Sequence, residues 1–552
     1  MDNYEIADQL LLLSKLMDIH GENSFKSKSY ASAAFAIEKL PQQIADLPEE
    51  KIFQIKGIGE SVGKKVMELI KTGELKQLKE IISNTPEGIF EMMNIKGLGP
   101  KKIHIIWKEL GIDSINDLRE VCRTNKISEQ KGFGQKTQQS ILESIQFNEQ
   151  NAGKYLYAGI EPFALALQEK LCVEFPEEQL QLTGAFRRQS ESIEKLEWVT
   201  TISIQNIKRF FDEDGFTIIA EGSEWIEINA QETLVLKFFL ATNDNFYQQL
   251  FLTTGSEEFL FAWKNTKQTP DEPKSEEEIF AVNKMSYIPP FLREKETIIH
   301  KTIPEVVTVA DIKGLIHSHS NWSDGANTIE EMTERLIELG FEYMVISDHS
   351  KAAYYANGLS EQRIKEQHNY IDALNRKFAP FKIFKSIECD ILADGQMDYS
   401  NKVLSTFDLV IASVHSNLDM DEEKAMKRLL GAITNPYVTI LGHMTGRLLL
   451  RRKGYPVDHK QIIDACADHN VVIEINASPS RLDMDWRHIN YALEKGLTLS
   501  INPDAHTVDE FGILKYGVLV AQKGGLTKER NLSSYSLSEF ETFLKDQRKK
   551  RS

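Results

Sequence analysis

The sequence predicts a multidomain chain: an all-α amino-terminal region, an α+β middle and a carboxy-terminal β/α region. Three observations predict it. A short glycine pattern recurs three times among helix-periodic residues before about residue 150. Alternating, strand-like runs follow, to about residue 263. From about Asp311 onward, buried-looking strands alternate with amphipathic helices, and strand after strand ends in a histidine or a carboxylate.

At 552 residues the chain exceeds one ordinary core, and its 41% hydrophobic and 27% charged residues suit a soluble protein with several. No basic segment leads into an apolar stretch at the amino terminus, and no run of ~18 apolar residues occurs, so neither a signal peptide nor a membrane span is expected. Cys122, Cys172, Cys389 and Cys466 form no CxxC pair and are expected as reduced thiols in a cytoplasmic protein. A net charge of −17 excludes a wholly basic nucleic-acid binder, so charge has to be read segment by segment.

In the helical region the repeats read Ile55-Lys-Gly57-Ile-Gly59, Ile95-Lys-Gly97-Leu-Gly99 and Gln130-Lys-Gly132-Phe-Gly134, each followed by a polar helix start. This is the helix-hairpin-helix pattern: the glycines permit a tight turn, and backbone N–H groups opening the second helix can bind a phosphate. A single GxG is usually just a turn. Three with the same flanking lysine, and with Lys56, Lys64, Lys65, Lys96, Lys101 and Lys102 around the first two, point to DNA held by its backbone without regard to sequence. A monomer with no membrane partner is expected.

The middle region contains runs such as Leu234-Val-Leu-Lys-Phe-Phe-Leu240, which suggest antiparallel strands. The Pro- and Glu-rich stretch Gln268 to Glu278 reads as a connector, followed by the Ile288-Pro-Pro290 turn.

In the β/α region the strand ends deliver His317 and His319, Asp348 beside His349, Glu388, His415, His443, and Asp504 with His506; Asp324 lies in the loop after His319. His317 and His319, at i and i+2, would share one face of an extended strand. Parallel strands in a β/α barrel point their carboxyl ends to one face, so ligands far apart in sequence converge there. A lone strand-end histidine is more often a hydrogen-bonded structural residue. Six of them among only 13 histidines in the chain, joined by Asp324, Glu388 and Asp504, are a metal constellation. Imidazole and carboxylate without thiolate suit Mn²⁺ foremost, with Zn²⁺ or Fe²⁺ as alternatives. Nine donors exceed what one ion takes, so two or three ions are implied. Beside His443, the run Gly446-Arg-Leu-Leu-Leu-Arg-Arg-Lys453 is either a solvated basic face or a phosphate-positioning cluster of Arg447, Arg451 or Arg452, with Arg447 preferred for its nearness to a ligand.

The runs His317-Ser-His-Ser-Asn-Trp-Ser-Asp-Gly325, Asp348-His-Ser350, Val414-His-Ser416, Leu441-Gly-His-Met-Thr-Gly-Arg447 and Asp504-Ala-His506 resemble a PHP (polymerase and histidinol phosphatase) domain over roughly residues 311 to 540. The resemblance implies a distorted (β/α)₇ barrel holding three metals. One ion would sit among His317, His319, Glu388 and Asp504, a second among Glu388, His415 and His443, and a third among Asp324, His349 and His506. Glu388 would bridge, and Glu388, His349 and Arg447 are the expected catalytic residues. Paired ions of this kind activate water and stabilise a leaving oxygen, which is phosphoester chemistry.

With the repeats in front, the order of parts is similar to that of bacterial family X DNA polymerases carrying a carboxy-terminal PHP domain. Phe25-Lys-Ser-Lys-Ser-Tyr-Ala-Ser-Ala-Ala34 and the first two repeats look like lyase and fingers segments, and Thr254-Gly-Ser256, Glu277-Glu-Ile-Phe280 and Pro289-Pro290 look like palm and thumb landmarks. The expected domains are residues 1–83 (helical, lyase-like), 84–150 (fingers), 151–263 (nucleotidyltransferase-like palm), 264–305 (thumb-like segment and linker) and 306–552 (PHP). Lys65 matches the family's Schiff-base lysine, although a phosphate contact is the preferred role. The palm departs from the family. Its turn is Gly184-Ala185, Arg187 and Arg188 are kept, but the metal-binding Asp-x-Asp pair is Lys195 and Glu197, and the third aspartate aligns with Val235. An ammonium where a divalent cation should bind opposes the site, so nucleotidyl transfer is expected to be lost.

The expected function is therefore metal-dependent hydrolysis of DNA phosphodiesters, as a 3′–5′ exonuclease or 3′-end trimming enzyme in repair. The alternatives are an active gap-filling polymerase with an attached exonuclease, a histidinol-phosphatase-like small-molecule phosphatase, and a non-catalytic DNA-binding adaptor.

Overall fold

The computed structural model describes the chain apart from residues 39, 41, 96, 213–214, 231–232 and 550–552, so Lys96 of the second repeat lies outside the described residues. The chain divides into two compact units, Met1–Ala152 and Gly153–Ser552.

The first unit is helical throughout. Its opening helix, Asn3–His20, is fixed by a capping box between Asp2 and Glu5 and ends at Gly21 in the left-handed conformation. One apolar core runs from Ile6 and Leu10 through Leu78 and Ile81 to Ile89, Met92 and Ile145, so it passes continuously across residue 83. Each repeat forms the same turn. Ile58, Leu98 and Phe133 are buried in that core, while Gly57, Gly97 and Gly132 take φ of +101°, +85° and +91°. Gly59, Gly99 and Gly134 then stand at the amino-terminal caps of helices Glu60–Thr72, Pro100–His104 and Gln135–Asn151, with no side chain capping the free N–H groups.

The second unit opens with a five-stranded sheet in the order Leu180–Leu182, Lys195–Thr200, Leu234–Leu240, Trp225–Ala230, Phe216–Glu221. Leu234–Leu240 is antiparallel to Trp225–Ala230 but parallel to Lys195–Thr200, so the sheet is mixed where the sequence suggested antiparallel pairing alone. Alternation along a strand shows which face is buried, not the direction of its neighbours. A second cluster forms around Phe251, Trp263 and Phe280, and the stretch expected to be a connector is tied to it, Trp263 Nε1 donating to Thr269 Oγ1 at 3.0 Å. Glu276 is 4% exposed and pairs with fully buried Arg293 at 2.5 Å. Charge suggested solvent there, but paired carboxylates are the ones proteins bury.

The last region is a closed parallel barrel. Its strands are Gly314–Ser318, Tyr343–Ile346, Lys382–Lys385 continued by Glu388–Asp390, Ile411–Ser413, Ile440–Leu441, Val472–Asn476 and Leu499–Asn502. Taking the interrupted third strand as one gives the (β/α)₇ count. Its first half pairs with Tyr343–Ile346 and its second with Ile411–Ser413. The bridge Ser318↔Ala505 joins the last strand to the first. The strands are buried almost throughout, as parallel strands covered on both faces must be. Among the described residues, no helix is long and apolar enough to cross a membrane.

Candidate metal centre

The carboxyl ends of the barrel strands bring the nine expected ligands together. Glu388 is the hub: its Oε1 lies 3.3 Å from His317 Nε2, 3.1 Å from His415 Nε2 and 3.0 Å from His443 Nε2. Its Oε2 lies 3.0 Å from His349 Nδ1. Asp504 Oδ1 is 3.0 Å from His319 Nε2 and 3.3 Å from His317 Nε2. Asp324 is 3.6 Å from both His349 Nε2 and His506 Nε2. Among the described residues, three groups have donor atoms within 4.8 Å of one another: His317, His319, Glu388 and Asp504; His319, Asp324, His349 and His506; and His349, Glu388 and His415. The first is the set that the family resemblance implies. The second adds His319 to the implied third set. In the last, His349 stands where His443 was expected, although His443 Nε2 also lies 3.0 Å from Glu388 Oε1, the oxygen that His415 Nε2 approaches.

His317 and His319 do not converge by alternation along an extended strand. The strand register shifts between Leu315 and Ser318, and His317 itself has φ +65°. Asp504 has φ +55°. Backbone strain of this sort costs about 1–3 kcal/mol at each residue and gathers at functional sites, where it aims side chains that regular geometry would not.

The donor set fits divalent cations. His317 Nε2, His319 Nδ1, His349 Nδ1, His415 Nδ1, His443 Nδ1 and Glu388 Oε2 are buried without a properly aligned hydrogen bond. An unsatisfied buried polar atom costs about 1–3 kcal/mol, and a cation explains His317 Nε2, His319 Nδ1, His349 Nδ1 and Glu388 Oε2, while His415 and His443 would offer it Nε2, the nitrogen that approaches Glu388. The electrostatics are correspondingly polarised. Burial opposes ionisation of Glu388, but His415, His317 and His349 hold its carboxyl well below the usual range. Burial, with His506 and His349 alongside, pushes His319 well below the ordinary imidazole value.

A ring of supporting residues was not singled out from the sequence. Glu474, fully buried, accepts from His317 Nδ1 at 2.6 Å, the His443 backbone N–H at 3.1 Å, Asn476 Nδ2 at 3.0 Å and Asn502 Nδ2 at 2.7 Å. A carboxylate behind a histidine fixes which ring nitrogen faces the metal. Asp390 stands in a similar position 3.3 Å from His415 Nδ1. The signal for Glu474 was present: Val472–Asn476 was the barrel strand to which no ligand had been assigned. Asp348 turns from the cluster and clamps the ligand loop, accepting from Ser320 N–H and Oγ, Ser323 Oγ and Gln367.

Arg447 is a correction. Gly446, at φ +61°, turns the chain after His443. The Arg447 guanidinium then donates to Arg481 O at 2.8 Å, Asp485 Oδ2 at 2.7 Å and Leu482 O, which leaves it a structural clasp. Arg452 is turned back onto Gly446 O. The cation facing the cluster is Arg481, with Nε 4.0 Å from Asp504 Oδ2. Nearness in sequence misled because the turn reverses direction.

The palm face differs in kind. In the parallel register Lys195 lies opposite Val235 and Glu197 opposite Lys237. Alternation puts these four side chains on one face, while Leu196, Trp198, Leu236 and Phe238 are buried behind it. Lys237 pairs with Glu227 at 2.9 Å, and Glu194 faces Lys154 at 3.3 Å. Glu197 packs over the Gly184 turn so closely that a Cβ there would meet its carboxylate. Burial raises its pKa, offset in part by Lys195, Arg188 and Lys237. Arg187 is taken by Thr254 and Glu276. Arg188 holds Thr254 O at 2.7 Å and Glu294 at 3.3 Å, and Lys523 from the barrel region closes on the same Glu294 at 2.5 Å.

In the hairpin unit, Lys64 pairs with Glu60 and Lys65 with Glu68, each at 2.7 Å. Lys102 folds back onto Gly97 O at 3.0 Å, while Lys101 is exposed.

Comparison with known proteins agrees with this division. A helix-hairpin-helix domain model matches residues 1–75, a SAM-like helix-hairpin-helix tandem matches residues 89–146, and a PHP domain model matches residues 316–478. The tandem includes the third repeat. The DNA polymerase/3′–5′ exonuclease PolX of Bacillus subtilis (strain 168) is 33% identical over 99% of this chain and 100% of its own length. Proteins described as "probable phosphatase" from Thermoanaerobacter sp. (strain X514) and Vibrio parahaemolyticus serotype O3:K6 are 25% and 27% identical, over 42% and 41% of this chain and 95% and 91% of their own lengths.

Proposed function

The chain belongs to the family of DNA polymerase/3′–5′ exonuclease PolX proteins, and from that premise we propose that it is a metal-dependent DNA phosphodiesterase, a 3′–5′ exonuclease working in repair, whose palm no longer transfers nucleotides. The observation that carries the hydrolytic reading is the set of buried imidazole and carboxylate donors converging on Glu388 at the barrel mouth, where His317 Nε2, His319 Nδ1, His349 Nδ1 and Glu388 Oε2 have no aligned hydrogen bond. His317, His319, Asp324, His349, Glu388, His415, His443, Asp504 and His506 would hold two or three divalent ions, Mn²⁺ foremost, which when bound would supply an activated water and a counter-charge for the leaving oxygen. Glu388 draws the imidazoles to one point, and Glu474 sets His317 with Nε2 inward. Arg481 takes the phosphate-orienting role first expected of Arg447. The uncapped helix starts after Gly59 and Gly134 hold the DNA backbone. A monomer in the cytoplasm suits this reading.

Two observations favour loss of polymerisation over an active gap-filling enzyme. Lys195 and Lys237 bring positive charge to the face where metal-binding aspartates would stand, and Arg187 and Arg188 already hold internal acceptors. A small-molecule phosphatase would need neither the hairpins nor the palm, and the phosphatase relatives align with only 42% and 41% of the chain. The test is digestion of 3′- and 5′-labelled DNA with Mn²⁺ by wild type and His349→Ala. The 3′ label is expected to leave first as mononucleotide, and the variant to be inactive. Equal digestion by the variant, or none by the metal-loaded wild type, overturns the proposal.

A further inference from the structure

The loop that follows His349 carries two adjacent aromatic side chains out of the barrel. Tyr354 is 85% exposed and Tyr355 53%, on the turn Tyr354–Ala356, with their rings edge-to-face at 6.0 Å. This exposure is enforced. Leu359 N–H returns to His349 O at 2.8 Å, Ala352 N–H binds Asp398 at 2.7 Å, and Lys351 N–H binds the Tyr399 hydroxyl at 3.0 Å. Ala353 and Ala356 are buried beneath the turn, and Gly358 packs against Ser350 O with no room for a side chain. A turn held at both ends cannot fold its rings inward.

Position separates this pair from the other exposed apolar residues. Among the described residues of the barrel region, the remaining exposed large hydrophobic side chains are Val309, Ile337 and Leu339. All three lie in segments that lead into a strand, at the amino-terminal end of the barrel. The tyrosines lie on a segment that leaves a strand, at the face where barrel active sites form. The segment that bears them leaves the ligand His349 and returns to it through the Leu359 N–H to His349 O bond, which sets it beside the metal cluster. Exposed aromatic faces beside a phosphodiester site match the chemistry of an unstacked nucleobase, which stacks on such rings whatever its identity.

We propose that Tyr354 and Tyr355 form a stacking platform for the terminal nucleobases of a DNA strand whose scissile phosphate lies at the metal cluster. The inference rests on the phosphodiesterase reading above.

The test uses the full-length protein with Mn²⁺ and two single-stranded oligonucleotides, one with an ordinary 3′ end and one whose two 3′-terminal nucleotides are abasic tetrahydrofuran analogues. Wild type is expected to show a KM on the order of 10-fold lower for the ordinary end. The double variant Tyr354→Ala/Tyr355→Ala should lose that difference while keeping wild-type metal content, and Tyr354→Phe/Tyr355→Phe should retain it. Equal KM for both ends in wild type, or an unchanged difference in the alanine variant, overturns the platform alone. No digestion of either oligonucleotide by wild type overturns the phosphodiesterase reading as well.

Discussion

The palm face and the barrel mouth are both crowded with charged side chains, and they are finished in opposite ways. On the palm, Lys237 is paired with Glu227, Arg187 with Glu276, Arg188 with Glu294, and the Glu197 carboxylate covers its own glycine turn. At the barrel mouth, His317 Nε2, His319 Nδ1, His349 Nδ1 and Glu388 Oε2 are buried with nothing aligned to receive them. Buried polar groups are ordinarily satisfied, so a cluster that is not has been shaped for something outside the chain. A cluster satisfied from within has become structure.

The largest effect that would sharpen this contrast is at the metal ligands. His349→Ala, or chelation of the wild-type protein, should reduce hydrolysis on the order of 10³-fold or more, and added Mn²⁺ should restore the chelated wild type only. Next comes primer extension. Wild type and Lys195→Asp should both give background signal with Mg²⁺ or Mn²⁺, since Lys237 and the occupied arginines remain, while both keep full exonuclease activity. Extension by wild type would break the comparison outright.

Third, Glu474→Gln should weaken metal binding by about 10- to 100-fold, read by titration calorimetry, because His317 loses the carboxylate that orients it. Fourth, Arg447→Ala should lower stability by about 3 kcal/mol and leave the KM for DNA unchanged in the folded enzyme, as suits a clasp rather than a phosphate contact. Its partner Asp485 gives the pH signature. Burial alone would raise that carboxyl, but Arg447 and Arg487 lower it to about 2. Because the folded pKa is depressed, the stabilisation is present above about pH 4 and is lost as pH falls toward 2, amounting to about 2–3 kcal/mol. In Arg447→Ala, acid denaturation should depend less steeply on pH across that window. The smallest effect belongs to the hairpins. Gly57→Ala, at φ +101°, should raise the KM for DNA roughly 3- to 10-fold through a strain of about 1–2 kcal/mol, with hydrolysis of a small phosphodiester unchanged.

Much of the fold was legible in the sequence for identifiable reasons. The glycine repeats were readable because only glycine takes the positive φ found at Gly57, Gly97 and Gly132 without penalty. The barrel was readable because strands buried on both faces spell continuous apolar runs. Strand direction in the palm was not, since period-two alternation is blind to it. Nor was the burial of Glu276, which depends on Arg187 and Arg293, one distant in the chain and the other beyond a turn.

By itself, the sequence determined the kinds of site this protein has: glycine turns of the helix-hairpin-helix kind, a middle domain with Lys195, Glu197 and Val235 where the family resemblance implies aspartates, and a barrel whose strand ends carry histidine and carboxylate. Residue type and local period carry that information, because they fix donor chemistry and the face on which a side chain emerges. Only the tertiary structure decided which charges are spent and which are available. Arg447 and Arg188 are both arginines beside functional motifs, yet each is consumed by acceptors that other segments supply, while Arg481 and Glu474 reach the metal cluster unannounced. Satisfaction of a polar group is a property of its neighbours in space, and a linear pattern does not contain them.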